Sequence, residues 1–253
     1  MQIPAGKKIY FISDFHLGVP DHERSLEREK KIVRWLNQIS SDAAIIYLMG
    51  DVFDYWFEYK HAVPKGYVRL LGKLAELSDS GIEIHYFTGN HDMWVFTYFE
   101  EELGMTIHHE PIELSVDGKL LLIGHGDGLG PRDKGYKMLK LFFRSKLCQF
   151  LFGWIHPNIG IGLANFWSRR SRIANRGKDE KNYGDDEWLL IYSKEKLMQK
   201  HYDYFVFGHR HLPLNIQLNE KSQYINLGDW IVYFSYAVFE NNELSLKYYK
   251  QDK

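Results

Sequence analysis

Five short clusters of acidic, amide and imidazole side chains follow one another along this chain, and four of the five directly follow an apolar, strand-like run. They are Asp14-Phe15-His16, Gly50-Asp51-Val52-Phe53-Asp54, Gly89-Asn90-His91-Asp92, Gly124-His125-Gly126-Asp127 and Gly208-His209-Arg210-His211. Strands that end at such residues deliver them to the same edge of a sheet. The pattern therefore predicts an α/β chain whose sheet edge carries the ligands of a two-metal hydrolytic site.

The apolar runs between the clusters predict the regular structure. Five of them indicate buried strands, at Lys8–Ser13, Ala43–Leu48, Glu83–Thr88, Lys119–Ile123 and Tyr204–Phe207. Helical periodicity lies between them, in one stripe of Ile32, Val33, Leu36 and Ile39 and a second stripe of Val68, Leu71, Leu74 and Leu77. Gly81 then serves as a helix stop.

Beyond Gly208 the pattern changes to consecutive β-runs. They cover Leu214–Leu218, Gln223–Asn226, Ile231–Phe239 and Leu244–Tyr249, with Asn241-Asn242 as the hairpin turn between the last two. Alternating strands and helices followed by a β-rich part predict an α/β (α+β) fold in which two sheets are sandwiched between helices.

Charge is distributed unevenly along the 253 residues. The segment 131–178 holds eleven Lys and Arg residues and one acid, Asp133, so its net charge is +10. Because the whole chain has a net charge of −1, the remaining residues together carry −11. The same segment contains eight aromatic residues. We expect a core formed by residues 1–130 and 179–253, with 131–178 as a basic helical insertion that contacts an anionic membrane surface or an acidic amphiphile. The alternative is a packed helical pair whose basic residues only keep its outer face in contact with water.

The remaining composition indicates a compartment and excludes some partners. The single cysteine, Cys148, rules out an intramolecular disulfide and fits a reducing cytoplasm. No basic and apolar leader precedes the first predicted strand, so we expect a cytoplasmic protein associated peripherally with the inner membrane. Because most of the chain is acidic, we expect no nucleic-acid partner. The sequence leaves the oligomeric state open.

The clusters supply a mixed set of oxygen and nitrogen ligands. Such a set suits two divalent ions, with Mn preferred and Fe or Zn as alternatives. Asp51 is the predicted bridging carboxylate; Asp14, His16 and His211 complete one ion, and Asn90, His125 and His209 complete the other. Glycines 50, 89, 124 and 208 allow close backbone approach and unusual φ angles before these ligands. Taken alone, each motif has a simpler explanation, such as a turn for Gly-Asn-His-Asp or a turn cap for Asp54.

Together the five motifs resemble those of the calcineurin-like metallophosphoesterases, over Ile9 to about Trp230. The resemblance implies a four-layer αββα sandwich and the ligand assignment above. It also implies that His91, oriented by Asp54, donates a hydrogen bond or proton near the leaving oxygen. We interpret Asp92 and Asp127 as turn residues or as groups that support the ligands.

Three longer stretches, residues 13–18, 48–56 and 124–136, resemble the branch of this family that hydrolyses UDP-2,3-diacylglucosamine to UMP and 2,3-diacylglucosamine 1-phosphate in lipid A synthesis. In that branch the insertion after the His125 loop is a lid that shelters the acyl chains. The resemblance implies substrate contacts from Asp133, Tyr136, Asn175 and Lys178. Our mechanistic hypothesis adds charge stabilisation on phosphate by Arg132 or Arg210. That branch typically has Arg where this chain has His91; Arg clamps phosphate through two hydrogen bonds, whereas His donates one.

Two other readings of the same motifs remain open. The first is a general phosphodiesterase or nucleotide pyrophosphatase with another substrate, for which the insertion would not matter. The second is a binding module that kept the fold and lost catalysis, which would purify without metal and stay inactive with added Mn.

Overall fold

The computed structural model describes residues 1–131, 134–175 and 181–250, without the side chains of 165, 169 and 171–175. Two sheets form its centre. The strands are β1 (Lys8–Ile12), β2 (Ala43–Leu48), β3 (Glu83–Phe87), β4 (Thr106–His108), β5 (Ile112–Val116), β6 (Lys119–Gly124), β7 (Tyr204–Phe207), β8 (Pro213–Asn219), β9 (Ser222–Leu227), β10 (Ser235–Glu240) and β11 (Glu243–Tyr248). One sheet has the order β11-β10-β1-β2-β3-β4 and the other the order β5-β6-β7-β9-β8.

Seven helices lie in the described part of the chain, and four of them, the first three and the last, cover the outer faces of the sheets. The seven are α1 (His22–Ile39), α2 (Val68–Asp79), α3 (Tyr98–Leu103), α4 (Lys134–Arg144), α5 (Lys146–Gly153), α6 (Pro157–Asn175) and α7 (Trp188–Leu197). Apolar residues of the first three helices pack on one face of the six-stranded sheet, and those of α7 pack on the five-stranded sheet. A third apolar cluster, including Phe11, Tyr47, Ile123 and Val206, fills the space between the sheets. This helix–sheet–sheet–helix order confirms the expected αββα sandwich.

Strand direction collects the five clusters at one place. In the first sheet β1, β2 and β3 run parallel, and in the second sheet β6 and β7 run parallel. Four of these strands end just before one of the clusters, and β6 ends at Gly124, the first residue of its cluster. Because the carboxyl ends of parallel strands meet at the same edge, the clusters converge there.

Some predicted elements differ from the observed ones. Val68 is 73% exposed, because α2 begins at this residue and its buried side is formed by Leu70, Leu74 and Leu77. The β-run predicted from Ile231 begins only at Ser235, because the Asp229 carboxylate accepts hydrogen bonds from the backbone N–H groups of residues 231–233 and holds them in a turn. Strands β4 and β5 and helices α3 and α7 were not predicted.

The hairpin turn at Asn241-Asn242 is confirmed. Both residues adopt positive φ, 51° and 67°. Asparagine tolerates this left-handed conformation, and two such residues in succession match the turn that joins twisted antiparallel strands. The turn thereby sets the pairing of β10 with β11 at the edge of the six-stranded sheet.

The segment 131–178 contains three helices, α4, α5 and α6. They lie beside the clusters; for example, the indole Nε1 of Trp94 donates a 2.8 Å hydrogen bond to the carbonyl of Phe143. Among the described residues, no helix combines the length and apolar character needed to span a bilayer.

Candidate metal centre

The predicted ligands stand in an unusual backbone conformation. Five of the seven have φ in the left-handed region: Asp14 (56°), His16 (44°), Asp51 (53°), His209 (67°) and His211 (51°). Such angles are uncommon outside glycine and cluster at functional sites. Here they turn the chain sharply at each strand end, so that side chains from different strands enter one cleft.

One group of four potential ligands forms where β1, β2 and β7 end. The ligand atoms of Asp14, His16, Asp51 and His211 all lie within 4.8 Å of one another. Asp14 Oδ1 is 3.6 Å from His16 Nε2 and 3.3 Å from His211 Nε2, and Asp51 Oδ2 is 3.7 Å from His16 Nε2. These spacings place two carboxylates and two imidazoles around a volume that one cation can occupy.

A second group shares Asp51 with the first. The ligand atoms of Asp51, His125 and His209 lie within 4.8 Å of one another. Asp51 Oδ2 is 3.4 Å from His125 Nε2, and the Asn90 amide oxygen is 3.3 Å from the same nitrogen. Asp51 therefore stands between both groups, which is the place predicted for a bridging carboxylate.

The two carboxylates are held in their ionised form. Burial alone would raise the pKa of Asp14, but the imidazole of His16, whose Nε2 lies 3.6 Å from Oδ1, and the charge of His211 lower this pKa to about 2. Burial acts in the same direction on Asp51, but the neighbouring imidazoles, His125 first among them, together keep the pKa of this carboxyl well below its usual value. Both side chains are thus anionic ligands at neutral pH before any cation arrives.

The two imidazoles of the second group differ in charge. Burial would lower the pKa of His125, but the carboxylates of Asp51 and Asp14 raise it to about 10. Burial, together with the charge on His125, lowers the pKa of His209 to about 4. Without metal, a proton on His125 balances the buried carboxylates. A cation that binds here has to displace that proton.

Several contacts leave ligand atoms free to face a cation. Asp14 Oδ2 accepts hydrogen bonds from Ser13 Oγ and from the backbone N–H of His209, whereas Asp14 Oδ1 is buried without a hydrogen-bond partner. His125 Nδ1 donates to the carbonyl of Met49 at 2.8 Å, which directs Nε2 toward Asp51. An unpartnered carboxylate oxygen and a fixed imidazole are what a metal-binding site requires, so these residues fit divalent cations.

Two glycines are needed because the strand ends approach closely. A Cβ on Gly89 would lie 2.2 Å from Asp51 Oδ1, and a Cβ on Gly208 would lie 2.6 Å from Asp14 Oδ2. Of the four glycines singled out in the sequence, Gly50 has positive φ, 92°. Close approach is therefore the requirement at Gly89 and Gly208. Gly50 is required on both grounds, because a Cβ there would also lie 2.6 Å from His125 Nδ1.

His91 and Asp54 lie together beside the first group, although their contact differs from the simple pair expected. His91 Nδ1 is 3.1 Å from the backbone carbonyl of Asp54 and 3.5 Å from its carboxylate. The same carboxylate oxygen is 3.4 Å from His16 Nδ1. Asp54 thus faces two imidazoles, one of which directs its other nitrogen into the metal-binding group.

Asp92 holds the loops that carry the ligands. Its buried carboxylate accepts hydrogen bonds from the backbone N–H groups of Gly89 and Val52, at 2.7 and 2.8 Å, and from the Tyr86 hydroxyl at 2.5 Å. Burial, and the nearby charge of Asp51, raise the pKa of Asp92 to about 6. These contacts agree with the interpretation of Asp92 as a supporting group.

Sequence reasoning missed Asp229, whose carboxylate lies 3.5 Å from Nδ1 of His211. A carboxylate behind a metal-binding histidine fixes the ring and raises its basicity. The signal was present in the Gly228-Asp229-Trp230 turn after β9, in the short gap between the strands predicted at Gln223–Asn226 and Ile231–Phe239, but it was not connected with the metal ligands.

The structure corrects the role expected for Arg210. The side chain is 1% exposed, and its guanidinium is paired with the buried carboxylate of Glu187. It also donates to the carbonyl of Lys181 at 2.9 Å and lies 4.5 Å from the centre of the Trp188 ring. Arg210 therefore forms an internal ion pair that anchors the loop carrying His209 and His211, and it is not a phosphate ligand.

The other expected substrate residues lie in or near the insertion. The Tyr136 hydroxyl donates a 2.6 Å hydrogen bond to the buried carboxylate of Asp127, and Lys140 forms an ion pair with the same carboxylate at 2.7 Å. Helix α4 is thereby attached to the loop that follows His125. Arg132, Asp133 and Lys178 fall outside the described residues, as does the side chain of Asn175.

A large apolar cavity opens beside the metal centre. Its volume is about 570 Å³. The floor includes Asn90 and His91, and the walls come largely from the three helices of the insertion, with Phe143, Phe152 and Trp167 among them. A single space thus joins a polar end, next to the potential ligands, to an apolar body.

Comparison with known proteins adds an independent finding. The family model described as calcineurin-like phosphoesterase matches residues 7–213. The UDP-2,3-diacylglucosamine hydrolase of Porphyromonas gingivalis is 40% identical over 255 residues, which cover 95% of this chain and 97% of that protein. The protein of the same name from Shewanella sp. (strain W3-18-1) is 28% identical over 220 residues, covering 87% and 88%. Among solved structures, Yfce, a phosphoesterase from E. coli, aligns over 94% of this chain and 91% of that chain with a TM-score of 0.43 and 18% identity.

Proposed function

The chain belongs to the calcineurin-like phosphoesterase family, and on that premise we propose that it hydrolyses the pyrophosphate bond of UDP-2,3-diacylglucosamine. The products are UMP and 2,3-diacylglucosamine 1-phosphate, and the reaction belongs to lipid A biosynthesis. The two similar proteins described above are named for this activity, and the one from Porphyromonas gingivalis aligns with 95% of this chain. Family membership alone leaves the substrate open, and the shape and lining of the site favour one class of substrate.

The cavity is the observation that carries the choice of substrate. Its volume of about 570 Å³ lies within the range of about 300–1,000 Å³ that is typical of ligand sites. Its walls are mostly apolar and aromatic, whereas its floor reaches Asn90 and His91 at the metal centre. A molecule with a diphosphate at one end and hydrocarbon chains at the other matches both ends of this space, whereas a water-soluble diester would leave the apolar walls unused.

The family's dinuclear site requires two divalent ions, and we propose manganese, with iron and zinc as alternatives. Asp14, His16 and His211 would hold one ion; Asn90, His125 and His209 would hold the other; and Asp51 would bridge them. When bound, such ions stabilise charge on phosphate oxygens and lower the pKa of water.

The remaining chemistry falls to the protein's own groups. The backbone carbonyl of Asp54 accepts the Nδ1 proton of His91 and leaves Nε2 for the substrate. We propose that His91, protonated on both ring nitrogens, donates a hydrogen bond or proton from Nε2 to the oxygen of the departing sugar phosphate. Water adds to the phosphorus next to uridine and loses its proton to solvent as the pyrophosphate P–O bond breaks. The apolar walls fix the lipid end and keep bulk water from the reacting bond.

Release of UMP from UDP-2,3-diacylglucosamine by the purified protein, reconstituted with Mn²⁺, tests this function directly. We expect rapid UMP formation that depends on both acyl chains, with bis-para-nitrophenyl phosphate as the small-ester control. Hydrolysis of the small ester alone would retain a two-metal phosphodiesterase and discard the lipid substrate. Inactivity toward both compounds, with no metal taken up, would favour the binding module.

Filling the cavity should separate lipid hydrolysis from small-ester hydrolysis. Ala164 lines the cavity on α6, away from the potential ligands, so Ala164→Trp should reduce kcat/KM for the lipid by about tenfold or more, because burial of the chains is lost. Activity on the small ester should stay within about twofold, since chemistry at the metal centre is untouched.

The matched control is Gly162→Trp, which adds the same ring to the same helix at an exposed position with open space around its Cβ. Steady-state kinetics with both substrates measures the effect. An equal loss on lipid and small ester in Ala164→Trp would contradict the assignment of the cavity to the acyl chains.

We also propose that the insertion contacts the anionic cytoplasmic leaflet of the inner membrane. Eleven of the sixteen large apolar side chains that are exposed among the described residues lie between 138 and 167. Exposed basic residues lie on the same helices, at Lys134, Lys146 and Arg170. Apolar side chains bordered by cations match an anionic lipid surface, from which the lipid substrate would also enter the cavity.

Vesicle binding tests this contact. Phe150 on α5 and Trp154 directly after this helix are 61% and 78% exposed, so the double change Phe150→Glu/Trp154→Glu should weaken binding to phosphatidylglycerol vesicles by about tenfold or more. Sedimentation with vesicles measures it, and phosphatidylcholine vesicles should bind less of the wild-type protein. Binding that is unaffected by the double change, or by added salt, would place the contact elsewhere.

A further inference from the structure

We infer that Ser168 is a positioning residue that connects the seating of helix α6 to the orientation of Asp54 and His91. The Ser168 hydroxyl donates a 2.6 Å hydrogen bond to Oδ2 of Asp54. Ser168 is 7% exposed and Asp54 is 3% exposed, so the bond is shielded from water. The inference rests on the proposed phosphoesterase chemistry of the site, but it does not depend on which ester is the substrate.

The two oxygens of the Asp54 carboxylate face different parts of the molecule. Oδ1 lies 3.4 Å from Nδ1 of His16 and 3.5 Å from Nδ1 of His91, whereas Oδ2 accepts the bond from Ser168. A carboxylate held at one oxygen cannot rotate freely about its terminal bond. The hydroxyl on α6 therefore sets the plane in which the other oxygen meets the two imidazoles.

Ser168 also stands at the boundary between the cavity and the metal centre. On α6 it follows Leu163, Ala164, Phe166 and Trp167, which line the apolar part of the cavity. A buried hydroxyl among apolar groups is unfavourable unless it has a partner, and Asp54 supplies one. Displacement of α6 would break this bond, so the position of the insertion acts directly on the group that holds His91.

The consequence concerns the rate of the reaction more than the affinity for substrate. His91 Nδ1 contacts the backbone carbonyl of Asp54 at 3.1 Å, so a shift of Asp54 moves the acceptor of that ring as well. A misdirected His91 would meet the leaving oxygen less often in a reactive geometry. The potential metal ligands are held by other contacts: the His91 N–H donates to Asp51 Oδ1, His125 Nδ1 donates to the Met49 carbonyl, and the His209 N–H donates to Asp14. They would therefore keep their arrangement.

The test uses the Mn²⁺-reconstituted full chain and bis-para-nitrophenyl phosphate. Ser168→Ala should lower kcat by about tenfold, the size expected for one buried hydrogen bond to a charged group, with KM and metal content unchanged. Ser168→Thr keeps the hydroxyl and should restore kcat to within about threefold. Ser193→Ala is the matched control, because the buried Ser193 hydroxyl donates a hydrogen bond to the carbonyl of Leu189 within its own helix α7.

A double-mutant cycle decides whether Ser168 acts through His91. In a His91→Ala background, Ser168→Ala should have no further effect on kcat, since the group it positions is absent. Independent, multiplying losses would overturn the inference, as would loss of one metal ion, which would place the effect on His16. If Ser168→Ala changed only KM for the lipid, Ser168 would act by lining the cavity, and the inference would be wrong.

The substrate assignment and this inference fail separately. If the wild-type protein hydrolyses the small ester but not UDP-2,3-diacylglucosamine, the proposed substrate is wrong and the cycle still tests Ser168. If the reconstituted wild-type protein hydrolyses neither ester, both are overturned.

Discussion

Asp51→Ala should abolish hydrolysis and remove metal from the protein. We expect kcat/KM on bis-para-nitrophenyl phosphate to fall roughly a thousandfold or more, which corresponds to about 4 kcal/mol of transition-state stabilisation. The Mn²⁺ content after dialysis should fall from two equivalents to one or less. Enzyme kinetics and plasma mass spectrometry of the same samples measure the two effects.

The size of the effect follows from the position of Asp51 between the two ligand groups. Its Oδ2 lies 3.7 Å from His16 Nε2 in one group and 3.4 Å from His125 Nε2 in the other. Removing this carboxylate takes one anionic ligand from both groups at once. It also leaves the imidazolium of His125, whose pKa is raised chiefly by Asp51, without its main partner.

Asp79→Ala provides the control, because Asp79 ends helix α2 at an exposed position away from the site. It should retain both metals and full activity. If Asp51→Ala instead kept two equivalents of Mn²⁺ and hydrolysed the ester at a rate near that of the wild type, Asp51 would not bridge the ions, and the ligand assignment would have to be rebuilt around Asp14.

The potential ligands could be predicted from sequence because each one lies at a strand end. An apolar run followed by a short polar motif determines both the strand and the direction in which its last residues point. Asp14 and Asp51 follow β1 and β2 in this way, and parallel pairing of those strands brings them to the same edge. The backbone conformation was less predictable, since positive φ at His209 or His211 depends on tertiary contacts such as the bond from the His209 N–H to Asp14.

Residues whose role depends on a distant partner were the ones mistaken or missed. Arg210 sits within a ligand motif and has the charge that phosphate needs, but its partner Glu187 is 23 residues away in the chain and buried. Ser168 lies 114 residues from Asp54. A hydrophobic pattern shows which face of a helix is buried but not what a polar group on that face meets. The helical character of segment 131–178 could be predicted, therefore, whereas the attachment of α6 to Asp54 could not.

The contacts of His91 suggest that it can be removed without loss of the metals. The backbone N–H of His91, which any substitution except proline keeps, donates a 2.9 Å hydrogen bond to Asp51 Oδ1. The side chain makes a separate contact, from Nδ1 to the carbonyl of Asp54, and the residue lines the cavity. Truncating the ring thus leaves Asp51 held in place and changes the group that meets the substrate.

His91→Ala should therefore lower kcat by about 10²–10³-fold, within the range for loss of a general acid, while two equivalents of Mn²⁺ remain. The loss should be larger for diphenyl phosphate than for bis-para-nitrophenyl phosphate, because phenolate is the poorer leaving group and depends more on a donated proton. His201→Ala, at an exposed histidine, should change neither rate. Equal losses on both esters would limit His91 to charge stabilisation, whereas a rate within twofold of the wild type would exclude it from the chemistry.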